Sequence, residues 1–258
     1  MDVNALSRHY LLSREFLEHG VIAATTLRTR DGKDFNMSVS HAASKEHYLA
    51  NICTWLQDFE LVNLYRRNRV VFLRLVHGDS VVCVDEAFVR KHSSEQFVPA
   101  CDGLVTPLHG TDRVTLTVKT ADCVPVFLFD CHTRASGLVH AGWRGLHRGI
   151  VGQAITTMTT ALGVSVRDLL IHIGPCIRVR RYPVGSEVAA LFPGTAHEAD
   201  GSYFLDLASA VRQRAHAAGI RAEHISDGGY CTYDRPDLFF SARRDGLHGT
   251  MLSFITVP

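Results

Sequence analysis

Residues 114–145 read VTLTVKTADCVPVFLFDCHTRASGLVHAGWRG, and this stretch holds the pattern that decides the fold. It contains three short, apolar, β-branched runs of the kind found in strands, at 114–118, 124–129 and 137–140. Pro125 indicates a strand start or a sheet edge for the second run, because proline cannot donate to a strand ladder. Chemically reactive side chains stand at the run boundaries: Cys123 precedes the second run and His140 ends the third.

Similar signals on either side of this stretch complete the outline of the fold. Further strands are predicted at 70–73, 81–84, 169–173 and 251–257. Helices are predicted at 44–59 behind Ser44 as N-cap, at 146–162 before Gly163, and from the N-cap Asp206 to Gly219. Strands follow strands early and single helices are interposed later, which favours an α+β sandwich with mixed sheets over a doubly wound fold. No linker or repeat divides the chain, so we expect one domain over residues 1–258.

Charge and composition exclude several classes of protein. The 27 Lys and Arg nearly balance the 26 Asp and Glu, leaving a net charge of +1, so nucleic acid is not expected as a partner. No signal peptide is recognised at the N-terminus and no apolar run approaches the ~20 residues of a membrane span, which predicts a cytoplasmic protein without membrane contact. The seven Cys are scattered without a CxxC pair and are expected to be free thiols.

Cys123 and His140 are 17 residues apart at the ends of two predicted neighbouring strands, so they can meet at one sheet edge. His77 follows the run that begins at residue 70, and the three side chains together form a Cys/His/His set suited to Zn²⁺ with one open coordination position. Two other interpretations stay open at this point. The residues can be a buried thiol and hydrogen-bonded core imidazoles, or Cys123 and His140 can form a nucleophilic pair.

Residues 140–145 carry glycines around Trp143 and Arg144 where a strand gives way to a helix. Glycines let the backbone approach a ligand, and Arg144 can add a bidentate anion contact, although the same glycines are equally consistent with a tight turn.

Two later segments also allow two interpretations. Residues 173–177 are consistent with a turn, and residues 239–245 with an exposed charged turn. The Arg pair in the second segment can instead line a pocket for phosphate or nucleoside.

Taken together and in order, these segments resemble the laccase-domain family, also called multicopper polyphenol oxidoreductases, whose members are regarded as zinc-dependent purine nucleoside phosphorylases. The segments that carry the resemblance are LVHG (75–78), DGLVT (102–106), TADCVPV (120–126), HAGWRG (140–145), IGPCI (173–177), CT (231–232) and FFSARRD (239–245). They span roughly residues 70 to 250.

The resemblance implies an α/β/β/α sandwich with mixed sheets and phosphorolysis of adenosine, inosine, guanosine or S-methyl-5'-thioadenosine, with adenosine deamination as a second activity. It places the metal on His77, Cys123 and His140, with Zn²⁺ expected and Cu²⁺ as the other candidate. Asp122 and Arg144 are expected to take part in catalysis. The substrate contacts are expected from Asn36, Arg144, Cys176 and Arg244, and the partners are a purine nucleoside and phosphate.

The N-terminal third departs from the family pattern. Ala24 stands where similar proteins carry an Arg, which leaves phosphate use in question, although Arg28 or Arg30 can substitute from a shifted loop. Leu75 replaces the usual Gln before VHG, and His248 begins a segment in which another usual Arg is absent. These differences predict an altered specificity.

Three further functions compete with the phosphorylase. Copper-dependent phenol oxidation needs grouped histidines, whereas the fifteen His are dispersed. A metal-free hydrolase using Cys123 and His140, for example in peptidoglycan editing, would be inactivated by thiol alkylation. A non-catalytic nucleoside-binding protein is the third, and the absence of the N-terminal Arg favours it.

Overall fold

The computed structural model describes residues 3–40, 42–94 and 98–258. The strands are β1 Tyr10–Leu12, β2 Ile22–Thr26, β3 Thr29–Arg30, β4 Lys33–Asp34, β5 Val70–Val71, β6 Val81–Cys83, β7 Gly103–Thr106, β8 Thr115–Thr120, β9 Val124–Asp130, β10 Ser136–Ala141, β11 Leu169–Ile173, β12 Pro183–Val184, β13 Ala196–Ala199, β14 Ser202–Leu205, β15 Ile225–Asp227 and β16 Met251–Thr256. The helices are α1 Val3–Leu6, α2 Arg14–Glu18, α3 Lys45–Asp58, α4 Val62–Arg66, α5 Glu86–Lys91, α6 Trp143–Arg148, α7 Ile150–Leu162, α8 Ser186–Ala189, α9 Leu207–Ala217 and α10 Ala242–Asp245. Within these ranges no helix is long and apolar enough to span a membrane.

Two large sheets dominate the structure. One has five strands in the order β1-β2-β16-β8-β5, and the other has six in the order β15-β11-β9-β10-β7-β6. Both are mixed, because β5 runs parallel to β8, β6 to β7 and β15 to β11, whereas the other neighbours are antiparallel. The prediction of mixed sheets is therefore confirmed.

The side chains of the sheets alternate between two apolar layers, as the twofold period of a strand requires. Phe127 and Phe129 of β9 face Leu116 and Val118 of β8 in the core between the sheets. The intervening residues of β9 pack on the other face of the six-stranded sheet, together with residues of α7 and α9. Helix α3 covers the outer face of the five-stranded sheet. The result is the α/β/β/α sandwich that the family resemblance implied.

Helix α3 forms where the sequence predicts it. Ser44 caps its first turn, its hydroxyl accepting a hydrogen bond from the backbone amide of His47 at 3.1 Å. Trp55 lies on the buried face, fully enclosed, with its ring 5.1 Å from that of Phe254 in β16. Phe59, directly after the helix, places its ring 4.6 Å from the same phenylalanine. Edge-to-face aromatic contacts thus join the helix to the centre of the five-stranded sheet.

One sequence prediction needs correction, and the structure decides between the alternatives of another. The helix predicted at 146–162 is two helices, α6 and α7, because Gly149 between them has φ +94° and ends the first. For Pro125 the sequence left a strand start or a sheet edge open, and the strand start is confirmed, since Pro125 is the second residue of β9. The sheet edge does not apply, because β9 has neighbours on both sides and Pro125 pairs with His140.

Replacement of Phe254 by Ala is expected to lower the free energy of unfolding by about 3–5 kcal/mol, because it removes a buried ring on which Trp55 and Phe59 pack. Leu247 is 69% exposed and provides the control. Leu247→Ala is expected to change the same free energy by less than about 0.5 kcal/mol. Equilibrium denaturation in urea measures both, and equal effects of the two substitutions would contradict the packing described.

Candidate active site

Cys123 and His140 meet where β9 begins and β10 ends. The register pairs Ala141 with Val124 and His140 with Pro125, so Cys123 lies just beyond the last rung of the ladder. His140 is 3% exposed and interacts directly with Cys123. A Cβ atom on Gly142 would come within 2.9 Å of the Cys123 sulfur, so only glycine permits this close approach. The meeting of the two side chains expected from their spacing is thus found in the structure.

Asp102, fully buried just before β7, organises the residues around His140. Its Oδ1 lies 2.9 Å from Nδ1 of His140. The same carboxylate accepts backbone N–H bonds from His77 at 2.9 Å, from Gly78 at 2.8 Å and from Val76 at 3.3 Å. One side chain therefore fixes both the imidazole and the segment that carries His77, and leaves Nε2 of His140 for another partner.

Charge interactions shift the pKa values of these groups. Burial alone would lower the pKa of His140, but Cys123 and the Asp102 carboxylate raise it to about 9. Burial would raise the pKa of Asp102, yet hydrogen bonds from His140 and from the Gly78 and His77 amides hold it below the usual value. The pKa of His77 is lowered by burial and by the neighbouring His140. The site thus favours an ionised Asp102 beside a neutral His77.

His77 projects from an irregular segment after β5, with φ +55°. Its ring centroid lies 5.0 Å from that of His140, at an interplanar angle of 87°. Helix α6 packs tightly on the segment, since a Cβ atom on Gly145 would come within 2.8 Å of the carbonyl oxygen of Gly78. The glycines of the 140–145 segment therefore serve close packing around Cys123 and His77.

His77, Cys123 and His140 are the residues to compare with the ligands that a metal ion requires. Within residues 3–40, 42–94 and 98–258, no three His, Cys, Asp or Glu side chains form a metal-binding group. His140 nevertheless has both His77 and Cys123 as neighbours, and two imidazoles with one thiol are a donor set that Zn²⁺ accepts. The carboxylate on the second nitrogen of His140 is the usual support of a metal-bound histidine. The residues present therefore fit a zinc ion in their chemistry.

Asp122, 8% exposed, lies directly before Cys123 and has both carboxylate oxygens engaged. The hydroxyl of Thr232 donates to Oδ1 at 2.6 Å, and the backbone amide of Arg243 donates to Oδ2 at 2.8 Å. Asp122 thereby ties the 231–232 and 239–245 segments to the start of β9. The 120–126, 231–232 and 239–245 segments, which are far apart in the chain, are therefore neighbours in the fold.

A cavity of about 300 Å³ opens beside Cys123. Its lining is Ala121, Asp122, Cys123, Ile177, Tyr182, Leu207, Ala242 and Arg243. The guanidinium carbon of Arg243 lies 4.9 Å from the centre of the Tyr182 ring, and its Nη1 donates to the carbonyl of Pro183 at 2.9 Å. Burial, followed by Cys123, raises the pKa of Tyr182 to about 12, so its hydroxyl stays protonated at neutral pH. The wall thus presents a cation and a hydroxyl donor.

Arg144 also lies close to this cavity. Its guanidinium stacks 4.5 Å from the ring centre of Trp143, and its charge lowers the pKa of both His77 and Tyr182. Among the described residues no carboxylate lies within 4.0 Å of it. Arg144 therefore remains available to an anion that approaches Tyr182 and His77.

Of the other three residues predicted to contact substrate, two have internal partners and one is fully buried. Arg244 donates to the carbonyls of Thr232, Tyr233 and Phe239 and to the carboxylate of Asp245. The Cys176 thiol is fully buried, and burial raises its pKa to about 12. Asn36 is buried and its side chain bonds to the backbone of Ser38, His248 and Thr250. None of the three lines the cavity beside Cys123.

The departures in the N-terminal third also have places in the structure. Ala24 is buried on β2 in the layer beneath α3. Arg28 lies against the 239–245 segment, with Nη1 3.2 Å from Oδ2 of Asp245 and its guanidinium 5.0 Å from the Phe240 ring centre. Arg30 is paired with Asp58 instead. Of the two arginines suggested as substitutes, Arg28 is therefore the one next to a site segment.

Sequence reasoning missed three residues of this site. Asp102 is an acidic residue directly before the apolar run 103–106 and begins one of the segments that carry the family resemblance, but nothing in the sequence indicated that it faces His140. The sequence offers Arg243 and Arg244 together as a lining for phosphate or nucleoside, but it leads to Arg244 alone as a substrate contact, because adjacent arginines cannot be distinguished without the turn that carries them. Tyr182 had no signal beyond its place among basic residues.

This chain is similar to known proteins over most of its length. The sequence profile of the family described as multi-copper polyphenol oxidoreductase laccase matches residues 23–258. A purine nucleoside phosphorylase of Mycobacterium tuberculosis is 37% identical over 193 residues, 73% of this chain and 72% of that protein. A purine nucleoside phosphorylase of Xylella fastidiosa is 33% identical over 249 residues, 89% and 90% of the two chains. The crystal structure of YlmD from Geobacillus stearothermophilus superposes with a TM-score of 0.85 at 28% identity and covers 96% of each chain. The chain therefore belongs to the multi-copper polyphenol oxidoreductase laccase family.

Proposed function

We propose that this protein is a purine nucleoside phosphorylase that uses phosphate to cleave the bond between a purine base and ribose. The observation that carries the proposal is the juxtaposition of Cys123, His140 and the Asp102 carboxylate with a cavity whose wall holds Arg243. Relatives that bear this name match over two thirds or more of the chain. The chemistry of the wall, a cation beside polar donors, suits a substrate pair of one nucleoside and one anion.

The reaction has two requirements: the anion must be held at the ribose, and the departing base must receive a proton. A phosphate oxygen forms a bond to the ribose C1′ while the bond from C1′ to the purine nitrogen breaks, and the departing base takes up a proton. The anion must therefore be held close to a carbon that becomes positively charged. Arg243 and Arg144 are the residues we assign to holding phosphate. Arg243 lines the cavity, whereas Arg144 acts through its charge on the lining residue Tyr182 and has no carboxylate partner among the described residues.

Asp122 is assigned a positioning role in this proposal. Its carboxylate holds the backbone amide of Arg243 and the hydroxyl of Thr232, so it fixes the arginine that we assign to the anion. To carry a proton during the reaction, as the sequence interpretation has it, Asp122 would have to release one of these bonds. The hydroxyl of Tyr182 is a second donor in the same wall.

His77, Cys123 and His140 would hold the metal, and a Zn²⁺ ion bound there would supply a Lewis acid at the edge of the cavity. The part of Asp102 is to keep His140 oriented and to hold the 76–78 backbone in place. Adenosine deamination stays a prediction that rests on the family resemblance. It is followed in the same experiment, since it would appear as inosine.

Incubation of the purified protein with adenosine, inosine or guanosine and phosphate is expected to yield ribose 1-phosphate and the free base, as measured by chromatography. Cys123→Ala is expected to abolish the products, because it removes a residue of the proposed metal set, whereas Cys53→Ala changes an exposed thiol on α3 and is expected to leave them unchanged. Absence of product from every purine nucleoside, with zinc bound, would sink the proposal. Oxidation of a phenol by the copper-loaded protein would favour the competing oxidase.

Arg243→Ala is expected to raise the KM for phosphate about tenfold or more, because it removes a charged donor from the cavity wall. Steady-state kinetics with phosphate as the varied substrate measures the effect. Arg235→Ala removes an equal charge from an exposed pair with Asp237 and serves as the matched control. An unchanged KM for phosphate in Arg243→Ala would show that the anion lies elsewhere.

Asp102→Asn is expected to weaken zinc binding about 10–100-fold, because the amide cannot accept from His140 and the three backbone N–H groups as a carboxylate does. Zinc affinity is measured by competition with a chromophoric chelator, and thermal unfolding checks that the variant is folded. Asp237→Asn, at an exposed position, is the control. A folded Asp102→Asn protein with the zinc affinity of the unchanged protein would contradict the proposed metal set.

A further inference from the structure

A second and larger cavity lies on the other side of the five-stranded sheet. Its volume is about 520 Å³, which falls in the size range of small-molecule sites. It opens between α3, α4, the segment after β5, the end of β8 and residues 38–40, with Val98 and Thr250 also in its lining. Its lining is Ser38, Val39, Ser40, Tyr48, Leu49, Ile52, Tyr65, Phe72, Leu73, Arg74, Leu75, Val98, Lys119 and Thr250. None of these residues is assigned a part in the proposed reaction. Leu75 comes nearest to it in the chain, two residues before His77.

Lys119 is the cation of this cavity. Leu116 and Val118 of β8 face the core between the sheets, so the strand alternation turns Lys119 to the α3 side. Its Nζ lies 4.7 Å from the ring centre of Tyr48 and 5.9 Å from that of Phe72, and donates to the Tyr48 hydroxyl at 3.3 Å. Among the described residues no carboxylate lies within 4.0 Å of this ammonium group. Within the part of the chain that the structure describes, ring faces and one hydroxyl are therefore the groups that stabilise this charge.

The rim of the cavity is apolar and exposed. Val39, Leu49, Tyr65 and Val98 are 58%, 46%, 37% and 43% exposed, and all four line it. In the part of the chain that the structure describes, only two other large hydrophobic side chains are this exposed, so four of the six lie at one cavity. Apolar surface gathered around a concavity is typical of a binding site.

We propose that this cavity binds a small planar aromatic anion, such as an aromatic carboxylate, whose ring packs against Tyr48 and Phe72 and whose negative charge pairs with Lys119. The aromatic side chains and the apolar rim select a flat hydrophobic body. The ammonium group of Lys119 lacks a carboxylate partner among the described residues. It therefore favours a negatively charged ligand, because an anion that enters the cavity supplies the counter-ion. Arg74 adds a second cation to the lining. The proposal is independent of the phosphorylase, since it concerns another cavity.

Naphthalene-2-sulfonate and naphthalene-2-sulfonamide are a matched pair of probes, because they share the ring and the shape but only the first is charged at neutral pH. Isothermal titration of the intact protein is expected to show tighter binding of the sulfonate. Lys119→Met is expected to weaken the sulfonate about tenfold and to leave the sulfonamide nearly unchanged. Lys33→Met, which removes an equal charge from an exposed strand, is expected to alter neither.

The unchanged protein offers a test that does not depend on any variant. Burial lowers the pKa of Lys119 to about 8. The other titratable groups of the described lining are Tyr48 of α3, whose pKa burial raises, Tyr65 of α4, and Arg74. Sulfonate affinity is therefore expected to fall as the pH rises from about 7 to about 9.5, over a range in which an ordinary lysine stays charged.

Three results would overturn the proposal. These are equal binding of the two probes by the unchanged protein, sulfonate binding by folded Lys119→Met as tight as that of the unchanged protein, and sulfonate affinity independent of pH over that range. Lys119→Arg retains the charge and is expected to retain sulfonate binding. Tyr48→Ala is expected to weaken both probes alike, because it removes the ring contact that they share.

Discussion

The buried carboxylate of Asp102 joins segments that are far apart in the chain. It accepts three backbone N–H groups from the 76–78 segment and the imidazole of His140, so its charge is balanced entirely by directed hydrogen bonds. A carboxylate in this setting has a pKa below its usual value, which keeps it an acceptor at neutral pH. The positions of His77 and His140, and with them the arrangement around Cys123, depend on this one group.

Much of the fold follows from patterns that are local in the sequence. The runs at 124–129, 137–140 and 169–173 became β9, β10 and β11 within a residue or two, because two covered faces require continuous apolar residues. Helix α3 begins behind Ser44 as its capping residue indicates. The break at Gly149 could not be read in advance, since a glycine inside an amphipathic pattern is compatible with a continuous helix. The central position of Pro125 depends on sheet order, which the sequence does not display.

The candidate site was also predictable only in part, because contacts between distant segments are not encoded in local sequence patterns. Cys123 and His140 are joined by a hairpin, so their spacing sufficed to bring them together. Asp122 meets Thr232 and Arg243 more than a hundred residues away, and no local pattern encodes that contact. The choice between Arg243 and Arg244 depends on a four-residue helix, α10, whose turn sends one guanidinium to the cavity and the other into backbone carbonyls. Motifs identified the neighbourhood, whereas the orientation of side chains within it came from tertiary contacts.

The pairing of Pro125 with His140 also constrains how the sequence can change over evolutionary time. Leu138 faces the core between the sheets and Val139 faces α7, so an insertion or deletion of one residue within β10 would exchange their directions and turn the imidazole away from Asp102. The loop at 131–135 joins the two strands at the opposite end of the hairpin. Its length can therefore vary among descendants of this chain, whereas the number of residues from Val124 to Asp130 and from Ser136 to Ala141 cannot.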